Sequence, residues 1–310
     1  MVTALLEVAD LRVEFPVGRR RRLPAVDGVD LTVKQGEILG LVGESGCGKS
    51  TLARTLVGLQ APSAGLIRLG GKDVPARRPA ALRKRIQLVF QDPGSSLDPR
   101  QTVREALQAP LRVHKLTDRA GEEKRVRELL NLVELSERLL DAKPGRLSGG
   151  QRQRVAIARA LAVEPDILIA DEAVSALDAS ATGSVLNLLT DLRTSLGLTV
   201  VFISHDLSVV RSLCDRVAVM YLGRVVETGS VEEVFTRPRH PYLRALLASI
   251  PRIGEPLVPP PLEGDEPPSI LTLPTGCRFT TRCPLAEQIC REQEPILKAI
   301  GPGAVACHLV

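Results

Sequence analysis

The stretch EILGLVGESGCGKST, residues 37–51, most constrains what this chain can fold into. A short apolar run meets a glycine-rich segment that opens a helix, which is the context a G-x-x-x-x-G-K-[ST] pattern requires. Gly43, Gly46 and Gly48 let the backbone wrap a phosphate with its amides pointing inward. The helix that follows adds its positive N-terminal end. Lys49 is placed to reach the β- and γ-phosphates, and the Ser50 hydroxyl to ligate Mg²⁺. Glu44, Ser45, Cys47 and Thr51 complete the loop, with Cys47 serving through its backbone more than its thiol. The competing reading is a glycine-rich turn that holds no nucleotide.

A nucleotide site of this kind needs a second half, an apolar strand ending in a carboxylate. DILIADE, residues 166–172, supplies it. Asp171 emerges at the strand's end as a second Mg²⁺ ligand, and Glu172 is placed to polarise an attacking water. From residue 5 to about 249 the chain alternates short β-type runs with longer helical patterns, the signature of an α/β domain with a mostly parallel sheet. The clearest strands are LEVADLRVEF, EILGLV, IQLVF, DILIA, TVVFIS and RVAVMY; helices are predicted over 50–59, 122–133, 150–162 and 179–196.

LSGGQRQRVAIARAL, residues 147–161, is a second anion-binding device in the same domain. Ser148 is a good N-cap, and Gly149 and Gly150 leave amides exposed at a helix start. One nucleotide does not need both devices from one chain, so this one is expected to close over a phosphate held by a partner subunit. With these motifs in order, the chain resembles the nucleotide-binding subunit of an ATP-binding cassette (ABC) transporter. The resemblance implies an ABC-type P-loop cassette, a mixed sheet with helices and an inserted helical subdomain near 92–163. It also implies roles for single residues. Gln91 in VFQDP contacts Mg²⁺ and senses the membrane partner, Asp178 in SALD belongs to a dimer-facing loop, and His205 in FISHD contacts the γ-phosphate. Gln151 joins Ser148, Gly149 and Gly150 in the signature.

Phe15, the sole aromatic before the phosphate loop, is where the family stacks a ring on adenine; a strand-end core residue is the alternative. One position departs from the family's D-E-P: Ala173 follows Glu172, and the missing proline loosens the backbone there.

Further segments resemble the oligopeptide/dipeptide importer branch: FPVG, AVDGVDLTV, VFQDPGSSLDPR, VAVMYLGRVVETG and RHPYLRALLASIP. That branch implies a second ATPase subunit, identical or paralogous, two membrane permeases, and an extracytoplasmic solute-binding protein. It places the chain on the cytoplasmic face of the membrane. Soluble ABC ATPases acting on nucleic acid or ribosomes share the loops, but usually add tandem cassettes or a long coiled coil, and neither is visible; nucleic acid is not an expected partner. No secretory leader and no uncharged apolar run of about 18 residues is seen. A net charge of +5 is mild and selects no partner. The basic run GRRRR, residues 18–22, reads as a solvated loop or as a contact for anionic lipid.

Eight prolines crowd residues 251–274, an extended arm or linker. Beyond them stand four of the six cysteines, Cys277, Cys283, Cys290 and Cys307. In a reducing compartment such a group suggests a metal or cluster rather than disulfides. Their spacing matches neither zinc knuckles nor ferredoxin runs and establishes only a possible four-thiolate site. The importer resemblance implies a [4Fe–4S] cluster; zinc and unligated thiols are the alternatives, with His308 a conceivable substitute ligand. The expected division is a nucleotide-binding domain over 1–252 and a proline-rich arm with a four-cysteine module over 253–310.

Overall fold

The computed structural model describes residues 4–18, 21–250, 262 and 268–310. Its strands are β1 (Ala4–Val17), β2 (Arg21–Lys34), β3 (Ile38–Val42), β4 (Ala64–Leu69), β5 (Lys72–Asp73) and β6 (Ile86–Val89). The later ones are β7 (Ile167–Asp171), β8 (Thr199–Ile203), β9 (Arg216–Tyr221), β10 (Arg224–Ser230), β11 (Lys298–Ile300) and β12 (Gly303–Val305). Among the described residues they form two sheets, one ordered β2-β1-β4-β5 and one ordered β11-β12-β10-β9-β3-β8-β7-β6.

The large sheet owes its burial to period-two side chains that are apolar on both faces. Ile38, Val42, Leu168, Ala170, Val200 and Phe202 point into one core. Their neighbours Leu39, Leu41, Ile167, Ile169, Val201 and Ile203 point into the other. Strands covered on both sides have no polar face to show, which is why DILIA and TVVFIS read as unbroken apolar runs. The first core lies under the helices Val103–Val113, Gly121–Leu132 and Gly149–Leu161; the second lies between the large sheet and the small antiparallel one. The four strands β6, β7, β8 and β3 run parallel, and β9 continues that direction.

The sheet is more mixed than the apolar runs predict. After β9 the chain reverses through Leu222 and Gly223, whose φ values of 42° and 85° make a two-residue turn with both residues left-handed. Such a turn matches the twist of the strands it joins and forces β10 antiparallel. Three of the predicted helices are present with ends moved by a residue or two, as Lys49–Val57, Gly121–Leu132 and Gly149–Leu161, and the fourth, Ala179–Leu196, has the predicted ends. No helix among the described residues is long and apolar enough to cross a membrane.

The cysteine-bearing tail is built into this framework. Strand β12 pairs with β10, Glu227 opposite Val305 and Thr228 opposite Ala304, and β11 pairs with β12. Phe279 is 1% exposed and packs on Tyr221, Tyr242 and His240 at ring separations of 5.3, 5.5 and 5.7 Å. Burial holds the His240 imidazole down at about 4, so it is neutral at pH 7. Of the proline-rich stretch, residues 251–261 and 263–267 lie outside the described residues, as do Arg19 and Arg20 of the basic run. Its remaining Arg22 pairs with Glu14 at 3.4 Å, largely exposed.

Removing the Phe279 ring leaves a cavity where the tail meets the cassette. Phe279→Ala is expected to cost about 3–5 kcal/mol, read by denaturant unfolding, and to open the tail to protease before the rest of the chain.

Candidate functional site

The phosphate loop leaves β3 and turns into the helix Lys49–Val57, wedged between two other backbones. A Cβ on Gly43, where φ is 150°, would lie 2.1 Å from the Met220 carbonyl oxygen; one on Gly48, φ 105°, would lie 2.2 Å from that of Ala25. Only glycine accepts both the conformation and the contact. Lys49 is 4% exposed, and its ammonium donates to the carbonyls of Gly43 at 2.7 Å and Glu44 at 2.9 Å. Two further bonds fix the loop from outside. The Glu44 amide donates to the Tyr242 hydroxyl at 2.9 Å, and the Gly223 amide donates to the Cys47 carbonyl at 2.8 Å. Burial pushes the Cys47 thiol up despite the nearby Lys49, so it stays protonated and unreactive.

Strand β7 delivers Asp171 beside this loop. The Ser50 hydroxyl donates to its carboxylate at 3.1 Å, joining the two sequence-predicted Mg²⁺ ligands across 121 residues of chain. Asp171 is 5% exposed, and burial pushes its carboxyl above the usual range; Ser50 pulls it back and the neighbouring Glu172 adds to the rise. A buried carboxylate of this kind gains from an added cation, and oxygen donors suit Mg²⁺, which keeps waters and phosphate oxygens as its other ligands. Among the described residues no three His, Cys, Asp or Glu side chains are placed to hold a metal ion, the four tail cysteines included.

Glu172 is the meeting point of two more predicted residues. The Gln91 side-chain amide donates to its carboxylate at 2.6 Å, and His205 Nδ1 stands 3.6 Å from its other oxygen. Glu172 has a left-handed backbone, φ 47°, which an ordinary residue adopts only when held. It is held by its amide donating to the Ile203 carbonyl at 3.0 Å and by Ser175 donating to its carbonyl from both amide and hydroxyl. Ala173, where the family has proline, is buried behind these bonds.

A cleft of about 330 Å³ opens over the loop. Phe15 lines it, as the sequence predicts, and so do Leu23, Ala25 and Ile270. Ile270 comes from the tail and carried no signal in the sequence. Ser45, Gly46, Thr51, Gln91 and Glu172 border the same cleft, while His205 opens onto a neighbouring one with Gly43 and Glu44.

The signature residues are elsewhere. Ser148 caps its helix by accepting the Gln151 amide at 3.2 Å, and the Gln151 side chain returns the bond to the Ser148 amide at 2.9 Å. Gly149 and Gly150 pack against Leu177 and Ala181, and Asp178 caps the helix Ala179–Leu196 through the Ala181 amide at 2.8 Å. None of Ser148, Gly149, Gly150, Gln151 or Asp178 lines the cleft over this chain's own loop.

The four tail cysteines, 277, 283, 290 and 307, line one small enclosed cavity with His240, Phe279 and His308. The Cys277 amide donates to the Cys290 carbonyl at 2.7 Å, and no disulfide joins any pair. Burial pushes the Cys277 thiol up to about 11, with the other three thiols adding to the rise; burial raises Cys307 as well. His308 Nε2 is engaged with the Gln293 carbonyl at 2.9 Å.

Comparison with known proteins follows this geometry closely. Residues 26–175 match the family described as ABC transporter, and residues 226–290 match the oligopeptide/dipeptide transporter C-terminal region. The chain is 45% identical to the oligopeptide transport ATP-binding protein AppF of Bacillus subtilis, over 98% of this chain and 97% of that one. It is 44% identical to the corresponding OppF of Escherichia coli, over 98% and 95%. The chain belongs to the ABC transporter ATP-binding family. Among solved structures it is similar to the dimeric cassette MJ0796 in a post-hydrolysis state with ADP and Pi, at 33% identity and a TM-score of 0.66, covering 73% of this chain and 98% of that one. It is also similar to cbiO1 of Clostridium perfringens, part of an ABC transporter complex, at 33% identity and a TM-score of 0.68, covering 76% and 91%. The fold is the ABC ATPase cassette, and the protein is an ATPase.

Ionised Asp171 pays a desolvation cost in the free protein that a cation offsets. Asp171→Asn is therefore expected to leave the nucleotide-free protein no less stable while abolishing the rise in melting temperature that Mg-ATP gives, as read by thermal melts with and without Mg-ATP.

Proposed function

We propose that this protein is the ATP-hydrolysing subunit of a membrane importer of oligopeptides or dipeptides. The observation that carries the catalytic part is the meeting of Gln91 and His205 on Glu172, next to the Ser50–Asp171 pair. The amides of residues 43–51 and Lys49 hold the phosphates of ATP, and Phe15 lies against the base. Ser50, Asp171 and Gln91 would hold Mg²⁺, which neutralises charge on the phosphate oxygens when bound. Glu172 takes the proton of the attacking water, Gln91 orients the Glu172 carboxylate, and His205, also beside Glu172, would contact the γ-phosphate.

The signature helix serves a second nucleotide. Ser148, Gly149, Gly150 and Gln151 stand away from the cleft over this chain's own loop, which favours a dimer with one ATP between the loop of one subunit and the signature of the other, Asp178 at the join. Two permeases and an extracytoplasmic binding protein complete the assembly, the second ATPase being a paralogue or a copy, and the chain sits at the cytoplasmic face. Peptides as cargo rest on the match of residues 226–290 and on the names AppF and OppF.

For the cavity that Cys277, Cys283, Cys290 and Cys307 share, the resemblance to importer ATPases implies a [4Fe–4S] cluster held by the four. Burial makes the Cys277 and Cys307 thiols resist ionising, and a strongly positive centre would make thiolates of them. A cluster would draw the thiols together, since as they stand they are not placed to hold a metal ion. It would crosslink a segment too short to bury a core of its own.

Glu172→Gln is expected to lower kcat for ATP hydrolysis by about 10²–10⁴-fold with ATP binding retained, measured on the subunit reconstituted with its permeases; full turnover would reject Glu172 as the base. Anaerobic purification is expected to yield iron and inorganic sulfide in equal amounts, lost in Cys290→Ser. A colourless protein without either removes the cluster.

A further inference from the structure

The turn between Cys277 and Cys283, sequence RFTTR, reaches the phosphate loop directly through Arg282 and braces its surroundings through Arg278. Arg282, 4% exposed, donates from one guanidinium nitrogen to both carboxylate oxygens of Glu44, at 3.0 and 2.9 Å. Arg278 donates to the Leu222 carbonyl and to the Asp27 carboxylate. Next to Leu222, Gly223 donates to the Cys47 carbonyl at 2.8 Å, and its own carbonyl accepts the Asp27 amide at 2.9 Å. The loop is thus braced at its second residue through Arg282, and at its middle through Arg278 and the Leu222–Gly223 turn.

Glu44 is an odd residue for a loop that must hold a polyanion. Its amide is fixed by Tyr242 and its carbonyl by Lys49, while its carboxylate, the one acidic side chain of residues 43–51, lies on the Arg282 guanidinium. Opposite charges within bonding distance cancel most of one another's outward field, whereas an uncompensated carboxylate repels bound phosphate. From this geometry we infer that Arg282 is a positioning residue for nucleotide binding, which neutralises Glu44 and holds the start of the phosphate loop in its binding shape. The tail thereby acts on the ATP site itself. This inference rests on the ATP-binding reading above and on no metal.

The test is titration of the full-length chain with ATP and Mg²⁺ by calorimetry, with turnover measured in parallel. Arg282→Ala is expected to weaken ATP binding about tenfold, equal to about 1.4 kcal/mol, and to raise KM with little change in kcat at saturating ATP. Arg282→Lys retains most of the affinity. Adding Glu44→Gln to Arg282→Ala recovers most of the loss, since the repelling charge is gone, and the Arg282→Ala deficit narrows at high salt. A purely structural role would move melting temperature and produce neither the recovery nor the salt dependence. Should Arg282→Ala not fold, Arg282→Gln keeps the bulk and a donor and is expected to show the same loss. Wild-type affinity in a folded Arg282→Ala or Arg282→Gln chain overturns the inference, as does a double variant no better than the single one. A wild-type chain that binds no Mg-ATP overturns this inference and the ATP-binding reading together.

Discussion

The phosphate loop lies between two carbonyls, those of Met220 and Ala25, with no space for a side chain at Gly43 or Gly48. That contact needs three things in register: β3 beside β9, β2 folded back over the loop, and the Leu222–Gly223 turn closing onto Cys47. Interiors packed at crystal-like density deform little, so a loop held this way meets its ligand with its amides already aimed. The catalytic group depends on the same sheet. Asp171 ends β7 with Glu172 just after it, His205 follows β8, and β8 lies between β7 and β3, so the carboxylates and the loop are set by one run of parallel hydrogen bonds.

The tail changes how the cassette is understood. It joins the large sheet by β12, fills the aromatic cluster around Tyr221 and Tyr242 with Phe279, and places Ile270 in the cleft. Tyr242 belongs to two structures at once: its ring packs against Phe279 while its hydroxyl holds the amide of Glu44. Burial raises that hydroxyl's pKa, so it remains a neutral group able to accept the bond. A segment usually regarded as an appendage thus shares side chains with the catalytic loop.

What the sequence disclosed and what it hid divide along a physical line. Residues 43–51, Ser148 and Asp171–Glu172 were legible because glycine, cap and strand-end signals act within a few residues of where they stand. The mostly parallel sheet was half visible: apolar runs announce buried strands, but the reversal at Leu222 turns on a left-handed leucine that no propensity favours. Ile270, Tyr242 and Arg282 were invisible as site residues. Their partners lie hundreds of residues away, as with the 238 positions between Glu44 and Arg282, and nothing local marks such a pairing.

Strand β10 would otherwise be the outer strand of the large sheet, with its unpaired backbone groups on the side away from β9. The tail covers that side with β12 and then β11, each three residues long, and the outermost strand, β11, begins with the exposed Lys298. Short, charged outer strands are poor templates for pairing with another chain. The tail that reaches the nucleotide site through Ile270 and Arg282 thus also guards the sheet through residues 298–305, and a chain shortened before residue 298 would leave β10 as an open, adhesive edge.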